Sequence, residues 1–279
     1  MNFTAKTRLL TLLGNPVLHS RSPEIQNRAF EAVGVDGVYV ALQCEEEDLE
    51  GFMVSVARSR GGDNITIPHK EKAAAIVEIA SEAVVQTGAY NTFWGDERGR
   101  IHGDNTDVDG FKSVLNFFIG GVPSGIKVLL LGGGGAARAS LLGLIDEGAD
   151  EVVIFNRTPE RARSMLRRIG GEKTRVIPAL EEIEGEDFDL VINANRLGLE
   201  ENDVSPLDLE RLGCVGAAMD LVYGRHVTPF VRAAEAMDIR ATDGAEMLVQ
   251  QGAASFERWW GMPAPVEAMR EAMEKSLAD

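Results

Sequence analysis

Between Lys127 and Ala137 the chain reads Lys-Val-Leu-Leu-Leu-Gly-Gly-Gly-Gly-Ala-Ala, an apolar run that breaks into glycines and continues as a helical pattern. Few architectures accept that order. A buried strand from Ile126 to Leu131, a tight loop over Gly132, Gly133, Gly134 and Gly135, and a helix from Ala136 to Glu147 begin a βαβ unit, with the next strand at Val152 to Phe155. The loop spells G-x-G-x-x-A, and its glycines permit the turn and a close approach of phosphate to backbone. The helix N-terminus then offers free N–H groups and a partial positive charge to a pyrophosphate. A dinucleotide site lined by Gly132 to Gly135 and Ala136 is the expectation.

About 20 residues past the first glycine, at the tip of the next strand, an Asp or Glu would hold the ribose 2′-hydroxyl of NAD. This chain has Asn156-Arg157-Thr158 there, with Arg161 following. A guanidinium beside a hydroxyl suits a 2′-phosphate, which a carboxylate would repel. The cofactor expected is therefore NADP, or NADPH in its reduced form.

Apolar runs alternate with helical stretches elsewhere too. Strands are expected at residues 9–13, 38–42 and 64–67, and helices at 23–33, 48–60 and 69–80. After the glycine loop, strands follow at 176–177, 190–193, 217–221 and 239–242, then helices at 245–260 and 265–277. Ser22-Pro23, Thr158-Pro159 and Thr228-Pro229 each read as an N-cap followed by a first-turn proline. Turn formers interrupt the pattern from Gly120 to Gly125. The fold class predicted is α/β in two domains: an N-terminal α/β substrate domain, residues 1–105 completed by 244–279, and a Rossmann-like dinucleotide domain, residues 106–243.

At 279 residues, 44% hydrophobic and 26% charged, the chain has the composition of a soluble globular protein large enough for two cores. No apolar run reaches the roughly 20 residues that span a bilayer, and the first eight residues lack a signal-peptide core, so a cytoplasmic protein is expected. A net charge of −16 argues against nucleic-acid and anionic-membrane partners, which need clustered Lys and Arg. Cys44 and Cys214 lie far apart, and His19, His69, His102 and His226 lack metal-ligand spacing, so neither a disulfide nor a metal is expected. The partner expected is a small molecule. The oligomeric state, monomer or homodimer, is not legible.

Three polar segments precede the glycine loop: Asn64 to Lys70, Ala89 to Thr92 and Gly103 to Asp107. Asn and Thr supply neutral donors and acceptors suited to a polyhydroxylated ligand, while Lys70 and Asp107 add a complementary ionisable pair. Taken alone, Lys70 reads as a helix-start lysine, Asp107 as a capping residue, and Ser20 and Ser22 as turn formers.

Together these residues resemble the shikimate dehydrogenase family. The elements are H-S-x-S-P from His19, N-I-T-I-P-x-K from Asn64, A-Y-N-T from Ala89, G-D-N-T-D from Gly103, G-x-G-G-A-A-R from Gly132, N-R-T from Asn156, D-x-x-Y from Asp220 followed by T-P at Thr228, and M-L-V-Q-Q-G from Met247. They occur in family order over nearly the whole chain. The resemblance implies reversible, NADP-dependent reduction of 3-dehydroshikimate to shikimate. It implies that Ser20, Ser22 and Tyr223 bind the carboxylate, that Asn64, Thr66, Asn91 and Gln251 line the ring hydroxyls, and that Lys70 and Asp107 are catalytic. It adds Leu221 and Gly244 to the cofactor side and places the substrate in a cleft between the domains.

The chain departs from the family pattern in places. It has Asn195-Arg196 where many members have Thr-Ser, Gln26 where His is common and Leu221 where Met is common. Such changes would tune kinetics or mark a side branch acting on quinate or another cyclic hydroxy acid. A protein that keeps the fold as a nucleotide sensor without turnover is the reading from a different class.

Overall fold

The computed structural model describes residues 3–120, 125–200 and 202–278, so the turn formers at 121–124 lie outside the described residues. The chain divides into two compact units, residues 1–110 with 248–279, and residues 111–247.

The first unit opens with β1 (Arg8–Gly14), α1 (Ser22–Val33), β2 (Gly37–Gln43), α2 (Leu49–Arg58) and β3 (Gly62–Ile65). It continues through α3 (Lys70–Ala73), β4 (Ile79–Ala80), α4 (Glu82–Thr87), β5 (Thr92–Gly95), β6 (Ile101–Asp104) and the first turn of α5 (Thr106–Ile119). The strands form one mixed sheet, ordered β2-β1-β3-β5-β6-β4, in which β5 runs antiparallel to β3 and β6. Side chains alternate across it. Leu13 and Ile65 face a core shared with Met53, Ala73 and Phe93, whereas Asn64 points the other way.

The expected helix over 69–80 stops at Ala73. Val77 packs over Gly103, where an added Cβ would stand 2.6 Å from its Cγ2, and Glu78 N–H donates to Ile101 O at 3.0 Å. Pairing with β6 thus takes Ile79 and Ala80 as a strand, a tertiary gain that outweighs local helix propensity. The capping expectations also divide. Thr228 accepts from Val231 N–H, Thr158 makes no side-chain cap, and Ser22 lies inside α1, its own N–H donated to Ser20 Oγ.

The second unit contains β7 (Lys127–Leu131), α6 (Gly135–Asp146), β8 (Glu151–Phe155), α7 (Pro159–Ile169), β9 (Thr174–Ile177), β10 (Phe188–Asn193), β11 (Val215–Asp220), α8 (Pro229–Ala236) and β12 (Arg240–Thr242). Its sheet is wholly parallel and ordered β12-β11-β10-β7-β8-β9. That is the doubly wound order, reversing between β7 and β10. Val128 and Leu130 enter one core with Phe111, Leu141 and Leu144, while Leu129 and Leu131 enter the other with Phe188 and Phe230. Burial on both faces is why β7 reads as an unbroken apolar run.

Helices α9 (Ala245–Trp260) and α10 (Val266–Ala278) end the chain, and the boundaries between the units fall within α5 and α9. In the first unit Phe30 of α1 packs edge-on against Trp260, with ring centroids 5.5 Å apart. Trp259 and Met269 are buried, as is Met247 in the second unit, in keeping with core roles.

Candidate active site

The polar segments of the first unit converge on one charged pair. Lys70 starts α3 and Asp107 lies in the first turn of α5; their side chains are 17% and 9% exposed, and the Lys70 ammonium donates to Asp107 Oδ2. The other oxygen, Oδ1, accepts from Asn91 Nδ2 at 2.8 Å. Asn91 gives its second amide hydrogen to Gln251 Oε1 of α9 at 3.1 Å, and its Oδ1 accepts Thr106 N–H at 2.8 Å. Both faces of the Asn91 amide are thereby fixed, and with them the orientation of the carboxylate that meets Lys70. Next to Lys70, buried His69 is anchored by a 2.7 Å contact from Nε2 to Cys44 O.

Asn64 is held by several partners within the protein. It is 4% exposed, and its Oδ1 accepts the Tyr39 hydroxyl at 2.8 Å. Its two amide hydrogens have three acceptors in reach, Asn91 O, Thr92 Oγ1 and Ser255 Oγ, at 3.1, 2.8 and 2.9 Å. Both amide hydrogens of Asn64 are engaged within the protein. The residue braces Asn91 from below.

Thr66 differs. It is half-buried, its methyl lies against Gly14, and its hydroxyl has no partner among the described residues. Ser20 donates to Ser22 Oγ at 3.1 Å. Gln26 is buried and donates to Gly252 O at 2.9 Å, which ties α1 to α9.

In the second unit the glycine loop occupies the carboxyl edge of β7. Gly132 has φ +143, and a Cβ there would stand 2.8 Å from Ala194 O. A Cβ on Gly133 would meet Asn156 Cγ at 3.1 Å and Arg161 Cβ at 3.3 Å, which brings the expected 2′-phosphate residues beside the loop. Gly134 is the N-cap of α6, extended and without a capping side chain, with open space where its Cβ would be. The first N–H groups of α6 are therefore free for an anion, and the loop fits a dinucleotide pyrophosphate. Asn156 Nδ2 donates to Thr158 O at 2.7 Å, and exposed Arg157 has no partner among the described residues.

Gly244 lies under Leu221: a Cβ would stand 2.3 Å from Leu221 O, and Gly244 N–H donates to Val222 O at 3.0 Å. Tyr223 follows, half-buried. Buried Asp220 was not anticipated as part of this edge. Burial is the largest influence on its carboxyl and pushes it up to about 6, Asp243 adds to this, and hydrogen bonds from Thr228, Val222 and Asn193 oppose it. Its place at the head of the D-x-x-Y element and its position at the end of an apolar strand are the sequence signals that could have marked it. Among the described residues no group of three or more His, Cys, Asp or Glu is arranged to hold a metal ion, and no helix is long and apolar enough to cross a membrane.

Residues 12–93 match the shikimate dehydrogenase substrate-binding domain, residues 120–245 shikimate / quinate 5-dehydrogenase, and residues 244–274 the shikimate 5′-dehydrogenase C-terminal domain. The NADP(+) shikimate dehydrogenase of Magnetococcus marinus is 36% identical over 99% of this chain and 98% of its own. The chain belongs to the shikimate dehydrogenase family. The NADP(+) shikimate dehydrogenase of Methanopyrus kandleri is 40% identical over 98% of this chain and 97% of that one. Among solved structures, shikimate 5-dehydrogenase from Thermus thermophilus, in complex with NADP(H) and shikimate, superposes with a TM-score of 0.86 at 38% identity, covering 96% and 99% of the two chains.

Proposed function

We propose that this protein catalyses the reversible, NADP-dependent reduction of 3-dehydroshikimate to shikimate. One observation carries the reading: Lys70 held on Asp107, with Asp107 braced by Asn91, in a chain that also bears an uncapped glycine loop at the switch point of a parallel sheet. The first unit takes the acid and the second the dinucleotide. Its relatives from Magnetococcus and Methanopyrus carry the same activity in their names.

NADPH supplies the hydride. The α6 N-terminus and the glycine loop hold its pyrophosphate, Arg157 and Arg161 its 2′-phosphate, and Leu221 and Gly244 line its other half. Ser20, Ser22 and Tyr223 bind the substrate carboxylate, while Thr66, Asn91 and Gln251 orient the ring. A hydride added to a ketone leaves an alkoxide, and Lys70 Nζ is the group that both neutralises and protonates it. Asp107 aims that ammonium and balances its charge. Asn64 supports Asn91 through its bond to the Asn91 carbonyl.

The test is oxidation of shikimate by purified protein, followed as NADPH formation, with quinate and NAD as parallel arms. Lys70→Ala should lower kcat about 10²- to 10⁴-fold with a much smaller change in KM. No turnover of shikimate with either cofactor would sink the reading, and a higher kcat/KM for quinate would move it to the quinate branch.

A further inference from the structure

At the carboxyl edge of the parallel sheet a single buried carboxylate joins four segments. Asp220 ends β11 with none of its surface exposed. Its Oδ1 accepts from Asn193 Nδ2 at 2.8 Å and from Val222 N–H at 3.0 Å, and its Oδ2 accepts the Thr228 hydroxyl at 2.6 Å. Asn193, the last residue of β10, passes the restraint on: Nδ2 also donates to Leu197 O, and Oδ1 accepts Asn195 N–H, both at 3.1 Å. Thr228 caps α8 in turn. The two loops that leave β10 and β11 therefore share one anchor.

A buried charge is an expensive anchor. An apolar side chain of similar size would usually stabilise a fold as well or better. The position of the loops says what the anchor serves. They flank the strand-order reversal, and Ala194, between Asn193 and Asn195, is pressed against Gly132 of the glycine loop. A dinucleotide lies across such a reversal. With the adenine half over β7 and β8, where Gly133, Asn156 and Arg161 meet, the nicotinamide half falls over β10 and β11.

We propose that Asp220 is a positioning residue for the nicotinamide half of the cofactor: through Asn193, Val222 and Thr228 its carboxylate holds the Asn195–Gly198 and Leu221–Tyr223 loops in the shape that half requires. The inference rests on the dinucleotide reading above and is independent of which acid is the substrate.

Calorimetric binding of two ligands to the intact protein tests it. NADPH spans both halves of the site, whereas 2′,5′-ADP carries the adenine half and the 2′-phosphate alone. Asp220→Asn should weaken NADPH about tenfold, as expected for one mispositioned charge-assisted hydrogen bond, and leave 2′,5′-ADP within about twofold. Thr228→Val, which removes one donor to Asp220 together with the α8 cap, should shift NADPH the same way by about threefold and, like Asp220→Asn, leave 2′,5′-ADP within about twofold. Equal weakening of both ligands would reveal a merely structural role and overturn the proposal, as would unchanged NADPH affinity. Should Asp220→Asn fail to fold, the same comparison in Thr228→Val decides. A wild-type protein that binds both ligands but leaves shikimate untouched would sink the substrate assignment without touching this one.

Discussion

Gly14 closes β1 against the loop that carries Thr66, and Gly14→Ala should act on substrate binding through that contact. The new Cβ would stand 2.3 Å from Thr66 Cγ2 and 3.1 Å from Ile67 O. Carbon atoms settle at about 3.5–4.0 Å, so the methyl must retreat by more than about 1 Å. The backbone of Thr66 cannot carry the shift easily, because its N–H donates to Leu13 O and its O accepts from His69 N–H, each at 2.9 Å. The displacement passes to χ1, which in a β-branched residue turns hydroxyl and methyl together. Overpacking should cost about 1–3 kcal/mol of stability. Losing the Thr66 hydroxyl from the ring, at ~0.5–1.5 kcal/mol, should raise KM for shikimate about two- to tenfold with less change in kcat. Thr66→Ser is the control, since it deletes the clashing methyl and keeps the hydroxyl. In steady-state kinetics and thermal unfolding, Gly14→Ala/Thr66→Ser should lie close to Thr66→Ser alone, a non-additive pair. Additive losses in the double variant, or an unchanged KM and Tm in Gly14→Ala, would refute the reasoning.

Arg157→Ala should weaken NADP by about tenfold and NAD hardly at all, measured as the ratio of the two kcat/KM values; equal losses would remove Arg157 from the 2′-phosphate. Gly132→Ala places a Cβ against the backbone oxygen of Ala194 at φ +143, where neither partner can yield. It should destabilise the protein by about 2 kcal/mol or more and abolish NADPH binding in a titration. Asp220 makes a pH prediction. Its carboxyl stands at about 6 when folded against an ordinary 3.8, so its contribution to stability is fully present below 3.8 and lost as pH rises through 6. That gap corresponds to ~3 kcal/mol. Denaturant unfolding of wild type relative to Asp220→Asn should therefore improve by up to that amount from pH 7 to pH 4, and a pH-independent difference would contradict the assignment.

What the sequence determined on its own was local or periodic. Val128 to Leu131 could only be a strand covered on both faces, the glycines after it could only be a loop, and the apolar spacing of residues 245–260 and 265–277 marked α9 and α10. Family elements in fixed order carried the chemistry, because Lys70, Asp107 and the glycine loop belong to short motifs. Tertiary structure decided the rest. The stretch from 92 to 104 showed no element in advance because β5 and β6 are four residues each, too short for a period to declare itself, and exist through pairing with β3 and with each other. Residues 74–80 gave up helix for a turn and, at Ile79 and Ala80, a strand beside β6. Asn64 and Asn91 are the same residue in similar polar segments, and nothing local distinguishes them. Only the packing of Tyr39, Thr92 and Ser255 around one, and of Asp107 and Gln251 around the other, tells them apart, and only the second bonds the carboxylate that meets Lys70. Asp220 depends on Asn193, 27 residues away, and on Thr228, 8 residues away. Hydrogen bonds between distant segments leave no spacing to read, since their geometry is set by the sheet that brings strand ends together and not by the chain that links them.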